Sequence, residues 1–510
     1  MKRFIVIIFA ILFASSAFAQ LFYVDIDATA KRKIKDIDSH TIFEKGEMFE
    51  ITQMQVVPEN QYNEYSYLFT TRDLKCFKVS VPQLGSYLSL SCNDIQGMWD
   101  ICMFEETLPN ILTYGYQSEL RDELEMEALQ FVSMIEENGL RFNDSYLEGY
   151  IYGLVNKIAP KYFLDGRTTD INILLNRNTE TNAYCYPNGT IVINLGLLSV
   201  LHSEDELVAI LSHEIAHYLL DHHIQNINAE IERLQRATFW ANFATGLALV
   251  ADVAIGAKSN GYYTPGALTS ATAIIASTIA EDSVVRLGMV YAFNQDQLAN
   301  AIAMEILTSL GYNPNALTTA LKRIDMSNDN ARTNYTSLDY FSDSSLQKRA
   351  ENEGAPYLNS ELEYEQKVSL AITDVAAIKF SMGRFRQAIA LVNQNIENNI
   401  ATADDYLLKA RCLLNLVSDG DPVEYILEVI DCAKNVDPTN INIYKTEILA
   451  YLKADNIEYA RTLLQIYYDK LSALLQAQHT ESIHTYIVDE IDWAFKMLLK
   501  TESILNSRLQ

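Results

Sequence analysis

Basic residues are scarce in this sequence. Its 510 residues carry 39 Lys and Arg against 66 Asp and Glu, a formal charge of −27. No long Lys/Arg stripe that would track phosphates runs through the sequence, which argues against nucleic acid as a partner. The acidity reads as solubility rather than as a tuned preference for basic substrates. Cysteine is sparse too. Cys76, Cys92, Cys102, Cys185, Cys412 and Cys432 include no Cys-x-x-Cys pair. Cys412 and Cys432 can pair between neighbouring helices or remain two buried thiols, and spacing does not choose between these. Only 21% of residues are charged and 49% are apolar, so the chain reads as globular rather than disordered. Its length accommodates several domains of about 100–200 residues.

What is present begins with an address. Lys2 and Arg3 precede an apolar run, Phe4 to Phe13, and Ala17-Phe18-Ala19 supplies a small-x-small cleavage pattern. The run is too short for the ~20 residues of a membrane span. No Cys follows the cut, so a lipoprotein anchor is not indicated. Residues 1–19 therefore read as a signal peptide, and the protein as exported, to the periplasm or the extracellular space.

Residues 20–110 read as a β-rich accessory module, with strands from about Thr41 onward and a small barrel as the expected form. From Ser118 the pattern turns helical. Ser203 to about His223 reads as an amphipathic helix with Ser203 as N-cap and Glu206 completing a capping box. Residues 239–280 hold two apolar stretches. Asn242 and Asp252 in the first disfavour a span and favour a helical hairpin, packed on the protein or making peripheral membrane contact. Residues 361–510 read as helix pairs with the cadence of tetratricopeptide repeats around Gly383 and Asp437-Pro438. Such an array offers a concave face for protein partners.

Five of the eight histidines fall between His202 and His223. They centre on His213-Glu214-Ile215-Ala216-His217. Helix positions i and i+4 share a face, so both imidazoles can hold one ion, and Glu214 can take a proton from a water beside it. This is the pattern of a zinc metallopeptidase with one Zn²⁺ per chain, acting on protein or peptide substrates. His222 and His223 read as second-tier or surface groups.

The run from Thr181 to Leu198, Glu204-Asp205-Glu206-Leu207 and Leu310-Gly311-Tyr312-Asn313-Pro314 together resemble the HtpX/BepA-like metallopeptidases, in the superfamily of the CAAX prenyl endopeptidases. The resemblance covers roughly 140–349. It implies a multidomain, mainly α protein: a small N-terminal β module, a gluzincin-like α+β metallopeptidase domain over 111–355, and the C-terminal repeat array. It also implies quality control of envelope proteins as the task. Its third metal ligand is a Glu, and the aligned residue here is Asp296, one methylene shorter. The family's closing Asp becomes Asn300. Asp343 stands where a His is common, and Arg349 is retained; both are expected near the second tier or the transition state. The strand at Thr190, Val192 and Asn194 is expected to be an edge that aligns substrate. The rival expectation is a pseudoprotease, catalytically weakened at Asp296, Asn300 and Asp343, that acts as chaperone or adaptor through its repeats.

Overall fold

The computed structural model describes residues 21–59, 64–114, 118–161, 171–233, 270–329, 361–418, 422–477 and 481–509. The expected signal peptide, the first stretch of the 239–280 hairpin, Asp343 and Arg349 lie outside them.

Seven strands open the described chain: β1 (Leu21–Ala30), β2 (Ile34–Lys35), β3 (Thr41–Phe43), β4 (Met48–Pro58), β5 (Tyr65–Thr71), β6 (Cys76–Ser80) and β7 (Leu88–Ser91). In β1 every second residue points inward, so Phe22, Val24, Ile26, Ala28 and Ala30 line one face. The main sheet runs β6-β5-β4-β1-β7. It is an open antiparallel sheet, not the expected barrel, because β6 and β7 stay at opposite edges. Its inner face packs on Phe104 and Leu108. The module is not self-contained. Helix α1 (Ile95–Cys102) buries Met98 and Trp99 in the next domain's core, and Trp99 Nε1 donates to the carbonyl of Ile158 at 2.7 Å.

After α2 (Leu108–Tyr114), α3 (Ser118–Glu137) and α4 (Ser145–Ile158) comes a small sheet of β8 (Asn172–Asn176), β9 (Ala183–Cys185) and β10 (Thr190–Asn194). Its order is β8-β10-β9, with β10 parallel to β8 and antiparallel to β9. Alternation divides the strands. Ile173, Ile191 and Ile193 face the core shared with α4, while Leu174, Tyr184 and Val192 face α3. Both faces are covered, which explains the unbroken apolar Ile191-Val192-Ile193. Gly196 follows at a close approach: a Cβ there would lie 2.3 Å from the Thr179 carbonyl oxygen. A side chain at 196 would therefore push away the loop that leads into β9.

Helix α5 (Glu204–Leu219) begins where expected. Ser203 Oγ accepts from the Glu206 N–H at 3.2 Å, and the Glu206 carboxylate accepts from the His202 N–H at 2.7 Å. The helix is not amphipathic in place. Every residue from Glu206 to Leu219 is buried, so its polar face is enclosed. Then follow α6 (His222–Arg233), α7 (Ser270–Arg286), α8 (Phe293–Leu310) and α9 (Ala316–Asp329). Ile275, Ala276 and Ile279 of α7 pack on the protein beside α3, so this half of the expected hairpin is a packed helix. Among the described residues no helix is long and apolar enough to cross a membrane.

Seven helices complete the described chain: α10 (Glu361–Ser381), α11 (Phe385–Glu397), α12 (Ala403–Leu416), α13 (Glu424–Val436), α14 (Asn442–Lys453), α15 (Ile457–Ala477) and α16 (Glu481–Leu509). Successive helices pack on one another. The first belongs to two bodies. Tyr364, Val368, Ala371, Ile372 and Val375 of α10 lie in the core that holds α5, whereas Ala376 and Ala377 pack on α11. Tyr364 Oη donates to the Leu198 carbonyl at 3.0 Å. The boundary expected at 361 therefore cuts through the α5 core.

An ion pair fastens the same seam: Arg177 Nε lies 3.1 Å from Asp374 Oδ2 on α10, with both side chains nearly out of water. Burial pushes the Asp374 carboxyl up to about 6 and Arg177 opposes the shift. Removing the guanidinium leaves an uncompensated buried charge. Arg177→Ala is expected to cost about 3–5 kcal/mol at pH 8. Because the folded pKa of Asp374 is raised, its ionisation disfavours the folded state as pH rises through about 6. The loss should thus be smaller at pH 5, where Asp374 takes up a proton, and Asp374→Asn added to Arg177→Ala should recover part of it. Urea melts at the two pH values check this; equal losses at both would refute the charge explanation.

Candidate metal centre

The enclosed polar face of α5 carries the site. His213 and His217 stand one turn apart with their Nε2 atoms 3.0 Å from each other. Asp296, in the first turn of α8, brings Oδ1 to 3.4 Å from His217 Nε2. One ligand atom from each of the three residues lies within 4.8 Å of the others, and all three residues are buried. Helix α8 is placed for this by packing along α5, with Gln295 Oε1 accepting the Ala292 N–H at 2.8 Å at its start. One turn beyond Asp296, the Asn300 side chain faces His213 and favours its protonated form.

The acidic N-terminus of α5 is equally fixed. Glu204 accepts hydroxyl bonds from Tyr150 at 2.8 Å and Tyr312 at 2.7 Å, and Asp205 accepts the Asn313 N–H at 3.0 Å. Carboxylates there also suit the positive end of the helix dipole.

Burial sets the charge states. It draws His213 down to about 3, aided by His217 and opposed by Asp296, and it holds His217 well below the ordinary range. Both imidazoles are therefore neutral at pH 7 and offer lone pairs. Glu214 is pushed up to about 8 by burial and then by the Asp296 charge, while a hydrogen bond from the Cys185 backbone works the other way. Two neutral imidazoles and a carboxylate converging out of water, with a second carboxyl beside them, form a donor set that fits a divalent cation. Zinc at about 2.0–2.1 Å from each of two tetrahedral ligands sets them about 3.3 Å apart, near the observed 3.0 and 3.4 Å. The shorter Asp side chain thus reaches the position.

The other anticipated residues divide. His222 is buried, not superficial, and its Nδ1 lies 2.9 Å from His217 Nδ1. His223 is buried with its ring parallel to that of Tyr218. The expectation of an edge at Thr190, Val192 and Asn194 is not met. Strand β10 is paired on both sides, and Asn194 Oδ1 accepts from Asn176 within the sheet at 3.0 Å. The sheet's edge next to α5 is β9, whose Cys185 N–H is the group that meets Glu214.

Two features had no signal in the sequence. Tyr291 stacks on His217, with centroids 3.6 Å apart and planes 19° from parallel. Arg121 of α3 pairs with Asp221, the residue before His222, at 2.5 Å. Each contact joins residues far apart in the chain, and neither lies in a recognisable motif.

Residues 147–363 match Peptidase family M48. The chain is 23% identical over 221 residues to the "Beta-barrel assembly-enhancing protease" of Escherichia coli (strain K12), covering 43% of this chain and 41% of that protein. It is 24% identical over 165 residues to the "Putative beta-barrel assembly-enhancing protease" of Vibrio cholerae serotype O1, covering 32% and 31%. The chain thus spans less than half the length of these curated relatives.

Proposed function

We propose that the M48-type peptidase domain at residues 147–363 is a zinc-dependent endopeptidase, exported and engaged in quality control of envelope proteins. The observation that carries this reading is the convergence of His213, His217 and Asp296 on one point, with Glu214 on the same helix beside it. Zinc bound there supplies Lewis acidity towards the scissile carbonyl. Glu214 takes the proton from the attacking water and delivers it to the leaving amine. Burial raises its proton affinity, which suits it to carrying that proton between the two steps once the charge of a bound dication has freed the carboxylate to accept it. Strand β9, rather than β10, aligns an extended substrate by backbone pairing. Export rests on the pattern of residues 1–19, the envelope setting on the likeness to proteases named for β-barrel assembly, and recruitment of protein substrates on the helical array.

Elemental analysis tests the centre. Wild type should hold about one zinc per chain. His217→Ala and Asp296→Ala should each lose most of it, because two remaining ligands hold zinc weakly. Asp296→Glu should fall between Asp296→Ala and wild type, since the extra methylene overfills a site shaped for Asp. Undiminished zinc and cleavage in Asp296→Ala would remove Asp296 from the site. A wild type that holds zinc but cleaves no unfolded protein would favour the adaptor reading.

A further inference from the structure

One buried side chain at the centre has no part in the chemistry above. His222 opens α6, directly after the left-handed Asp221 (φ 58) at the bend from α5. Its Nδ1 meets His217 Nδ1 at 2.9 Å. Arg121 reaches across from α3 to hold Asp221. Tyr291 covers the His217 ring on one face and meets His222 edge-on at 6.0 Å between centroids. His217 is thus gripped at the nitrogen that points away from Asp296.

That contact decides a tautomer. For His217 to offer a lone pair at Nε2, its single proton must sit on Nδ1. Only an acceptor opposite Nδ1 stabilises that form, and the atom opposite is His222 Nδ1. Hence His217 Nδ1–H donates, His222 Nδ1 accepts, and the His222 proton sits on its own Nε2. A ligating imidazole whose second nitrogen is held in this way is fixed in orientation and made more basic.

We propose that His222 is a positioning residue, which sets the tautomer and ring orientation of His217 through the Nδ1–Nδ1 hydrogen bond and so tunes the affinity of the metal centre. The proposal rests on the metal reading above. Its prediction separates the hydrogen bond from mere packing. His222→Phe keeps a ring but removes the acceptor; His222→Asn places an amide oxygen near the old Nδ1. Zinc affinity of the full-length chain, measured by chelator competition, should fall roughly 10–100-fold in His222→Phe and return to within a few-fold of wild type in His222→Asn. The d–d spectrum of the cobalt-loaded protein should change in His222→Phe and be restored in His222→Asn. Thermal melting of the metal-free variants controls for folding. Wild-type affinity in His222→Phe, or equal losses in both variants, would overturn the role of His222 while leaving the metal centre intact. A wild type that binds neither zinc nor cobalt would overturn the metal reading itself.

Discussion

Glu214→Gln is expected to keep its zinc and to lose peptide hydrolysis by about 10²–10⁴-fold, the usual worth of a positioned acid–base group. The amide has nearly the same volume, and its oxygen can still accept from the Cys185 backbone. No ligand is removed, because the three converging groups are His213, His217 and Asp296. What disappears is the carboxyl on that turn of α5 that can take up and return a proton without giving up a metal contact. Zinc content and cleavage of a fluorogenic peptide, measured on the same preparation, check this. Wild-type turnover in the variant would mean that another group is the base. Loss of zinc together with activity would mean that Glu214 serves the site's structure rather than its chemistry.

Truncation should have a larger effect still. A chain ending at residue 360 loses α10, whose Tyr364, Val368, Ala371, Ile372 and Val375 complete the core around α5. Burying an aliphatic or aromatic side chain of that size contributes about 1.5–3 kcal/mol. Four such residues and an Ala amount to a substantial share of the 5–15 kcal/mol that hold a typical domain. The shortened chain is therefore expected not to fold, and to hold no zinc. A chain ending after Ile400 keeps α10 with its partner α11 and should retain both the fold and the metal. Soluble yield, cooperative melting and zinc content separate the two. A 1–360 chain with a sharp melt and full zinc would show that α10 belongs to the array alone.

These expectations show which parts of the sequence could be read directly. The i, i+4 histidines, the Ser203 cap and the β segments are encoded by neighbours within a few residues. Asp296 was reachable only through the family's spacing; nothing local marks it as a ligand, and it is the packing of α8 along α5 that brings it to His217. Strand β10 was readable as a strand but not as a central one, because strand order is a long-range property. Strand β1 alternates cleanly from Phe22 to Ala30, whereas the strands expected from composition start only near Thr41. The helix that starts at the expected boundary of 361 contributes to two cores for a related reason. A helix that ends one core and begins the next has apolar residues around most of its circumference, and its periodicity cannot say to which body each face belongs.

The double membership of α10 also bears on how the protein is made. A ribosome delivers α5, with both histidines and Glu214, long before it delivers residue 375. Until α10 emerges, the core around Leu198 lacks the side that Tyr364 and its neighbours cover, and domains that lack a wall present sticky surface to whatever is near. The growing chain therefore cannot finish its peptidase core domain by domain in strict order. The helix that carries His213, Glu214 and His217 must wait for the opening helix of the array, so the cluster they form with Asp296 is fully walled only after the chain has begun its last helical segment.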